Sequence, residues 1–197
     1  MVYFDLGGVF FDYTVPINQF IRRNHLNRQK AWDSFFLIDP PAFLGKVNSQ
    51  EHLNRFFKQI DFSKKDPFDF CSHFVSHFQV IPETHRLAEK LSQKVKLGLL
   101  TNIYKYNYER IRKYHKIPLL DYSPIILSCD FGLSKPDPKL YELAQKKITY
   151  KPEEVLYVDD YPENIKVAKT IGWNTILFDI QTLDQTISNI EKLALSC

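Results

Sequence analysis

Val2-Tyr3-Phe4-Asp5-Leu6-Gly7-Gly8-Val9 opens the chain with an apolar, β-branched and aromatic run that stops at a carboxylate and two glycines. Such a run predicts a buried strand. The glycines let the backbone turn and leave room beside it, which puts Asp5 at the carboxyl end of that strand. In open α/β sheets this edge is where ligands bind. A carboxylate there can be a nucleophile, a metal ligand or a helix cap. The choice depends on what the rest of the chain brings to the same edge.

From residue 82 the chain alternates between helix and strand. Apolar spacing predicts helices over 82–92, 106–115, 138–147 and 162–171, the last closed by Gly172. Strands are predicted over 95–100, 125–127, 155–158 and 174–178, and a final helix from Leu183. This rhythm implies an α/β fold: a doubly wound, Rossmann-like parallel sheet with right-handed crossovers. Between the first strand and this region lies a polar-aromatic stretch read as an inserted, all-helical cap. Ile17, Phe20 and Ile21 suit a helix beginning near Pro16, and Trp32, Phe35 and Phe36 suggest another. Asp39-Pro40-Pro41 reads as a break. Asn48 and Glu51 form a capping-box pattern ahead of Leu53, Phe56, Phe57 and Ile60. A further break over 61–67 precedes Phe70, Phe74, Val75 and Phe78. The expected division is a core of 1–14 and 81–197 around a cap of 15–80.

The 197 residues suffice for one domain with a modest insertion. A net charge of +3, from 26 basic and 23 acidic residues, is too balanced to point to nucleic acid. Lys64-Lys65 and the 110–116 stretch read as solvated helix surfaces. Cys71, Cys129 and Cys197 match no metal-ligand spacing and read as reduced thiols. The early first strand leaves no room for a leader, and no apolar run is long enough to span a membrane. A cytoplasmic protein with no nucleic-acid or membrane partner is the expectation.

Asp5, Thr101-Asn102, Lys135 and Asp159-Asp160 all lie just past predicted strands, or in the loop that follows one. A doubly wound sheet brings such ends to one crevice. Asp5, Asp159 and Asp160 crowded together would repel one another without a cation, and oxygen-only ligands suit Mg²⁺. Lys135 and the Thr101 hydroxyl suit an anion held against that metal. Together these groups describe phosphoryl transfer, in which an Asp can form an aspartyl-phosphate.

Four segments, Tyr3-Phe4-Asp5-Leu6-Gly7-Gly8-Val9, Leu99-Leu100-Thr101-Asn102, Ser134-Lys135-Pro136-Asp137-Pro138 and Val158-Asp159-Asp160-Tyr161-Pro162-Glu163-Asn164, occur in order. On these the chain resembles the haloacid dehalogenase superfamily of hydrolases, with the 15–80 insert where that family has a helical cap. The resemblance implies a phosphoric monoester hydrolase acting on a small phosphorylated metabolite. Asp5 would be nucleophile and Mg²⁺ ligand, Thr101 and Asn102 phosphate donors, and Lys135 the cation facing phosphate and Asp5. Asp160 would bind the metal directly and Asp159 through water, with Asn164 orienting Lys135 or the acidic pair. Asp12 and Asp137 read as turn or cap residues.

One position departs from the pattern. Family phosphatases place a second Asp two residues after the nucleophile, as general acid and base; here it is Gly7, whose carbonyl can still bind Mg²⁺. General acid–base help is worth roughly 10²–10⁴-fold. Leaving groups that need little protonation, such as sugar 1-phosphates or acyl phosphates, would then be favoured. Alternatively a cap residue or water supplies the proton, or the protein only binds phosphorylated ligands or a protein partner. The branch of the family that includes an α-glucose-1-phosphate phosphatase shares Asp-Leu-Gly here and remains active. A 2-haloacid dehalogenase is the other enzymatic reading, since it also lacks the second Asp. It needs no metal, and the Asp159-Asp160 pair argues against it. His73 and His77, four apart with Cys71 nearby, read as an ordinary helix face lacking a third ligand. The remaining histidines, His52 included, show no informative spacing. The cap aromatics read mainly as core, with one or two of them, Phe43 or Trp32, expected to face a substrate.

Overall fold

Strand β1 (Val2–Phe4) is wholly buried. The computed structural model describes residues 1–63 and 70–196 of the chain. The expectations for Lys64, Lys65, Pro67 and Cys197 lie outside the described residues.

A sharp turn follows β1. The Phe10 amide donates to Leu6 O and the Gly8 amide to Phe11 O, both at 2.8 Å. The turn leads to β2 (Phe11–Asp12), which opens the helical segment: α1 (Thr14–Arg23), α2 (Arg28–Phe43), α3 (Ser49–Gln59) and α4 (Phe70–Ser76). Strand β3 (Gln79–Val80) then pairs antiparallel with β2, so a two-stranded ribbon joins the helices to the sheet. The helical reading of 15–80 misses β3, because two residues carry no period to recognise. The break expected at Asp39-Pro40-Pro41 is also absent: both prolines lie inside α2. They fall in its final turn, and the carbonyls they leave without amide partners belong to exposed Phe36 and Leu37, where water can satisfy them. Asn48 does cap α3, accepting from the Glu51 amide at 2.9 Å, while the Glu51 carboxylate turns to Arg55 at 2.7 Å. Ile17, Phe20, Leu53, Phe56 and Phe57 give these helices a core of their own.

The remaining elements alternate as expected: α5 (Pro82–Ser92), β4 (Leu97–Thr101), α6 (Asn107–Lys113), β5 (Ile125–Leu127), α7 (Ser128–Phe131), α8 (Pro138–Lys146), β6 (Leu156–Asp159), α9 (Pro162–Thr170), β7 (Asn174–Leu177) and α10 (Leu183–Ala194). The five-stranded sheet has the order β5-β4-β1-β6-β7, with every pair parallel. Strand alternation sends Val2 and Phe4 to one face, with Leu87 and Leu91 of α5 and Ile190 of α10. Tyr3 goes to the other face with Tyr141 of α8 and Ile165 of α9. Helices thus cover both faces of a doubly wound sheet. Gly98 is needed where it stands: a Cβ there would come within 2.7 Å of the Tyr3 ring.

Two groups read as solvated surface instead tie the helical segment to the sheet. Arg110 donates to Ser49 Oγ at 2.9 Å, and Lys116 Nζ donates to Phe78 O at 2.8 Å. Among the described residues no helix is long and apolar enough to cross a membrane.

Candidate active site

Strands β1, β4 and β6 are adjacent and parallel, so the residues at or just past their carboxyl ends meet. The Asp5 amide donates to Val158 O at 2.9 Å, which holds the residue in register with β6. Its carboxylate is met by Lys135 Nζ at 2.9 Å from Oδ1. Thr101 adds a side-chain hydrogen bond to the same carboxylate.

Lys135 is the hub of the group. Its ammonium also donates to Asp159 Oδ2 at 2.7 Å and to Leu100 O at 3.2 Å, with its side chain 1% exposed. Burial alone would lower its pKa, but Asp159 and Asp5 together carry it above the ordinary lysine value, so it stays charged. Asn102 positions it: the side chain accepts from the Lys135 amide at 2.8 Å and donates to the Lys135 carbonyl at 2.9 Å. The Asn102 side chain is thus engaged with the lysine loop, while its backbone amide belongs to the same crevice edge as Thr101.

Asp159 is fully buried and saturated with donors. Besides Lys135, it accepts from Asn164 Nδ2 at 2.9 and 3.0 Å, from the Tyr161 amide at 2.7 Å and from the Tyr157 hydroxyl. Asn164 therefore touches the acidic pair through Asp159. Asp160 points its carboxylate back against Gly8, where a Cβ would fall 2.0 Å from Oδ2. Gly8 also has φ +78°, so both space and backbone call for glycine.

One carboxylate oxygen from each of Asp5, Asp159 and Asp160 lies within 4.8 Å of the other two. Burial first, and Asp159 next among the charges that raise it, push Asp5 up to about 6, against the opposing pull of Lys135. Burial, then Asp5 and Asp159, push Asp160 up to about 7. Three carboxylates facing one ammonium leave a local excess of negative charge. An all-oxygen donor set with that excess fits a hard divalent cation.

The expected second carboxylate is replaced by more than an absence. The Tyr13 ring lies over Gly7, and a Cβ on Gly7 would come 3.1 and 3.2 Å from two of its carbons. Burial, followed by the carboxylates of Asp160, Asp39 and Asp5, raises the Tyr13 phenol above its ordinary value, so it remains protonated.

Sequence reasoning missed a second polar cluster facing the same crevice. Asp39 of α2 accepts from the Tyr104 hydroxyl at 2.5 Å, and His52 Nε2 of α3 lies 3.3 Å from the same oxygen. Burial pushes Asp39 up to about 7 and His52 down to about 4. The signal for His52 lay in its place on the apolar stripe with Leu53 and Phe56. Asp39 was hidden by the two prolines after it. Phe43 stacks on Tyr104 with centroids 5.3 Å apart and lines the crevice, whereas the Trp32 indole donates to Asn18 at 3.0 Å, away from it. Asp12 and Asp137 cap local turns, accepting from the Thr14 and Lys139 amides. The His73 and His77 ring centroids lie 4.2 Å apart with the planes tilted by 44°, and neither residue belongs to an acidic or metal-binding cluster among the described residues.

A family model described as haloacid dehalogenase-like hydrolase matches residues 3–178. Acyl-CoA dehydrogenase family member 10 from Mus musculus is 26% identical over 139 residues, which cover 68% of this chain and 13% of that protein. The chain thus spans a small fraction of that relative's length. A glyceraldehyde 3-phosphate phosphatase from Methanocaldococcus jannaschii is 26% identical over 165 residues, 74% of this chain and 71% of the relative. Among solved structures, a HAD family enzyme from Bacteroides thetaiotaomicron, in complex with magnesium and inorganic phosphate, superposes with a TM-score of 0.65. It shares 19% identity and is covered over 93% of its length by 90% of this chain.

Proposed function

Because the chain belongs to the haloacid dehalogenase-like hydrolases, we propose that it is a Mg²⁺-dependent phosphatase of small phosphorylated metabolites. The observation that carries this reading is the buried Lys135–Asp5 pair beside the carboxylates of Asp159 and Asp160. The phosphatase named among the relatives supports the same reaction class.

Asp5, Asp160 and the Gly7 carbonyl would hold Mg²⁺, with Asp159 behind them. The ion would supply positive charge for the phosphate oxygens and relieve the repulsion among the carboxylates. The chain's own residues do the rest. Lys135 and Thr101 bind the phosphate and turn the Asp5 carboxylate toward phosphorus. An Asp5 oxygen forms a bond to phosphorus as the ester P–O bond breaks, and the electron pair leaves on the ester oxygen. Gly7 offers no proton, so the leaving oxygen takes one from water. Water then attacks the acyl phosphate at phosphorus, the bond to Asp5 breaks, and phosphate and the free carboxylate result. Asn102 and Asn164 act by positioning, one on the Lys135 backbone and one on Asp159. The helices of 15–80 serve as a cap over the 1–14 and 81–197 core. The cytoplasmic setting expected from the cysteines belongs to the same reading.

The test is phosphate release from acetyl phosphate and p-nitrophenyl phosphate with Mg²⁺, with EDTA, and with Asp5→Asn. Release that needs Mg²⁺ and is lost in the variant supports the reading. Release indifferent to EDTA, or surviving in Asp5→Asn, overturns it.

A further inference from the structure

The crevice that begins at Asp5 continues beneath the helical segment, with a volume of about 580 Å³ in all. Phe11, Phe35, Phe43, Leu53, Phe74 and Phe78 form its walls there. Of the polar side chains that reach this part, Ser49, Asn107, Asp39 and Tyr104 are engaged by other side chains, while the ring nitrogens of buried His52 make no hydrogen bond. Ser49 Oγ is taken by Arg110 at 2.9 Å, and Asn107 Oδ1 receives the same guanidinium at 3.4 Å. Asp39 Oδ1 is taken by Tyr104. His52 lies against the Tyr104 ring with centroids 4.3 Å apart.

A sugar moiety would bring several hydroxyls into these walls. Each hydroxyl stripped of water without a partner opposes binding. An aromatic body suits the same walls, since ring stacking and apolar burial both favour it. The reaction end sets a second, independent condition. With glycine at position 7, that position supplies no carboxylic acid to protonate the leaving oxygen. A phenolic oxygen, with a pKa near ~10, leaves as a stabilised anion without that help.

We propose that the substrate is an aryl phosphomonoester, its ring system held in the Phe43–Leu53 cavity while its phosphate faces Asp5 and Lys135. This rests on the phosphatase reading above and names the substrate class for the same site. Phe43 and Leu53, from facing helices α2 and α3, are then specificity-determining residues.

Any phosphatase favours good leaving groups, so the test compares esters of equal chemistry and unequal bulk. The protein is assayed in Mg²⁺ with phenyl phosphate, 2-naphthyl phosphate, glucose 1-phosphate and acetyl phosphate. The expected result is a kcat/KM for 2-naphthyl phosphate at least tenfold above phenyl phosphate and a hundredfold above glucose 1-phosphate. Phe43→Ser and Leu53→Ser, each checked for cooperative melting, should shrink the naphthyl-to-phenyl ratio through KM. Equal rates for the two aryl esters, or a ratio untouched in both folded variants, overturn the proposal. So does glucose 1-phosphate matching the aryl esters. If acetyl phosphate too is left intact, the phosphatase reading itself falls and the substrate class with it.

Discussion

Lys135 and Asp5 form a buried ion pair, Nζ to Oδ1 at 2.9 Å, in which the lysine side chain is 1% exposed and the aspartate 13%. The same ammonium holds Asp159, so its removal strands two buried carboxylates at once. Breaking a buried pair from one side costs about 3–5 kcal/mol. Lys135→Met is therefore expected to lower unfolding free energy by about that amount in urea titrations without metal. Added Mg²⁺ should recover part of the loss. A variant as stable as the parent would show that the pair contributes nothing.

The adjacent aspartates should respond differently to amide substitution. Asp159 accepts from Lys135, Asn164, Tyr161 and Tyr157, so Asp159→Asn disrupts a satisfied network and lowers the melting temperature. Asp160 adds like charge at the rim, and Asp160→Asn should leave the metal-free melting temperature unchanged or higher. It should weaken Mg²⁺ by at least about tenfold in calorimetric titration, given the loss of one charged ligand. Equal effects of both variants on melting and on metal affinity would contradict the division of labour.

Gly7 and Tyr13 should be coupled. The ring leaves 3.1 Å for a Cβ at position 7, so Gly7→Asp alone meets Tyr13. Gly7→Asp combined with Tyr13→Ala makes room for a carboxylic acid. The pair should speed hydrolysis of an alkyl phosphate such as glycerol 3-phosphate beyond either single change, within the roughly 10²–10⁴-fold worth of a general acid. Full gain from Gly7→Asp alone would show that the ring is no obstacle.

Asp39 gives a pH signature. Its folded pKa, about 7, lies above the ordinary 3.8, so the folded state holds a proton that the unfolded chain releases. Its contribution to stability is thus fully present below about pH 4 and is lost as pH rises toward 7. Asp39→Asn keeps an acceptor for Tyr104 and removes the titration. The melting temperature of the variant relative to the parent should rise between pH 4 and pH 8, by about 2–4 °C per kcal/mol recovered. A gap that is constant with pH would contradict the raised value.

Much of this was legible in the chain because the sheet is built from short apolar runs, each ending in the residue that matters. Asp5, Thr101 and Asp159 stand where the apolar run stops, and parallel pairing then brings them together. Lys135 was legible only through its loop motif, since no periodicity places it. The helical segment was legible as helices but not as a surface. Asp39 precedes two prolines that look like a break, yet α2 runs through them and turns its carboxyl inward. His52 and Tyr104 meet from segments 52 residues apart in number, a contact no local pattern encodes. The ring of Tyr13 over Gly7 arises from the tight turn and β2, whose two residues carry no signal.

The central claim is that Asp5 carries the phosphoryl group. Acid quench during turnover of ³²P-labelled acetyl phosphate, followed by hydroxylamine treatment, tests it directly. The account predicts label on the protein approaching one per chain, released by hydroxylamine as an acyl phosphate and absent from Asp5→Asn. Phosphate release with no protein-bound label at any quench time, or label that persists in Asp5→Asn, would contradict it.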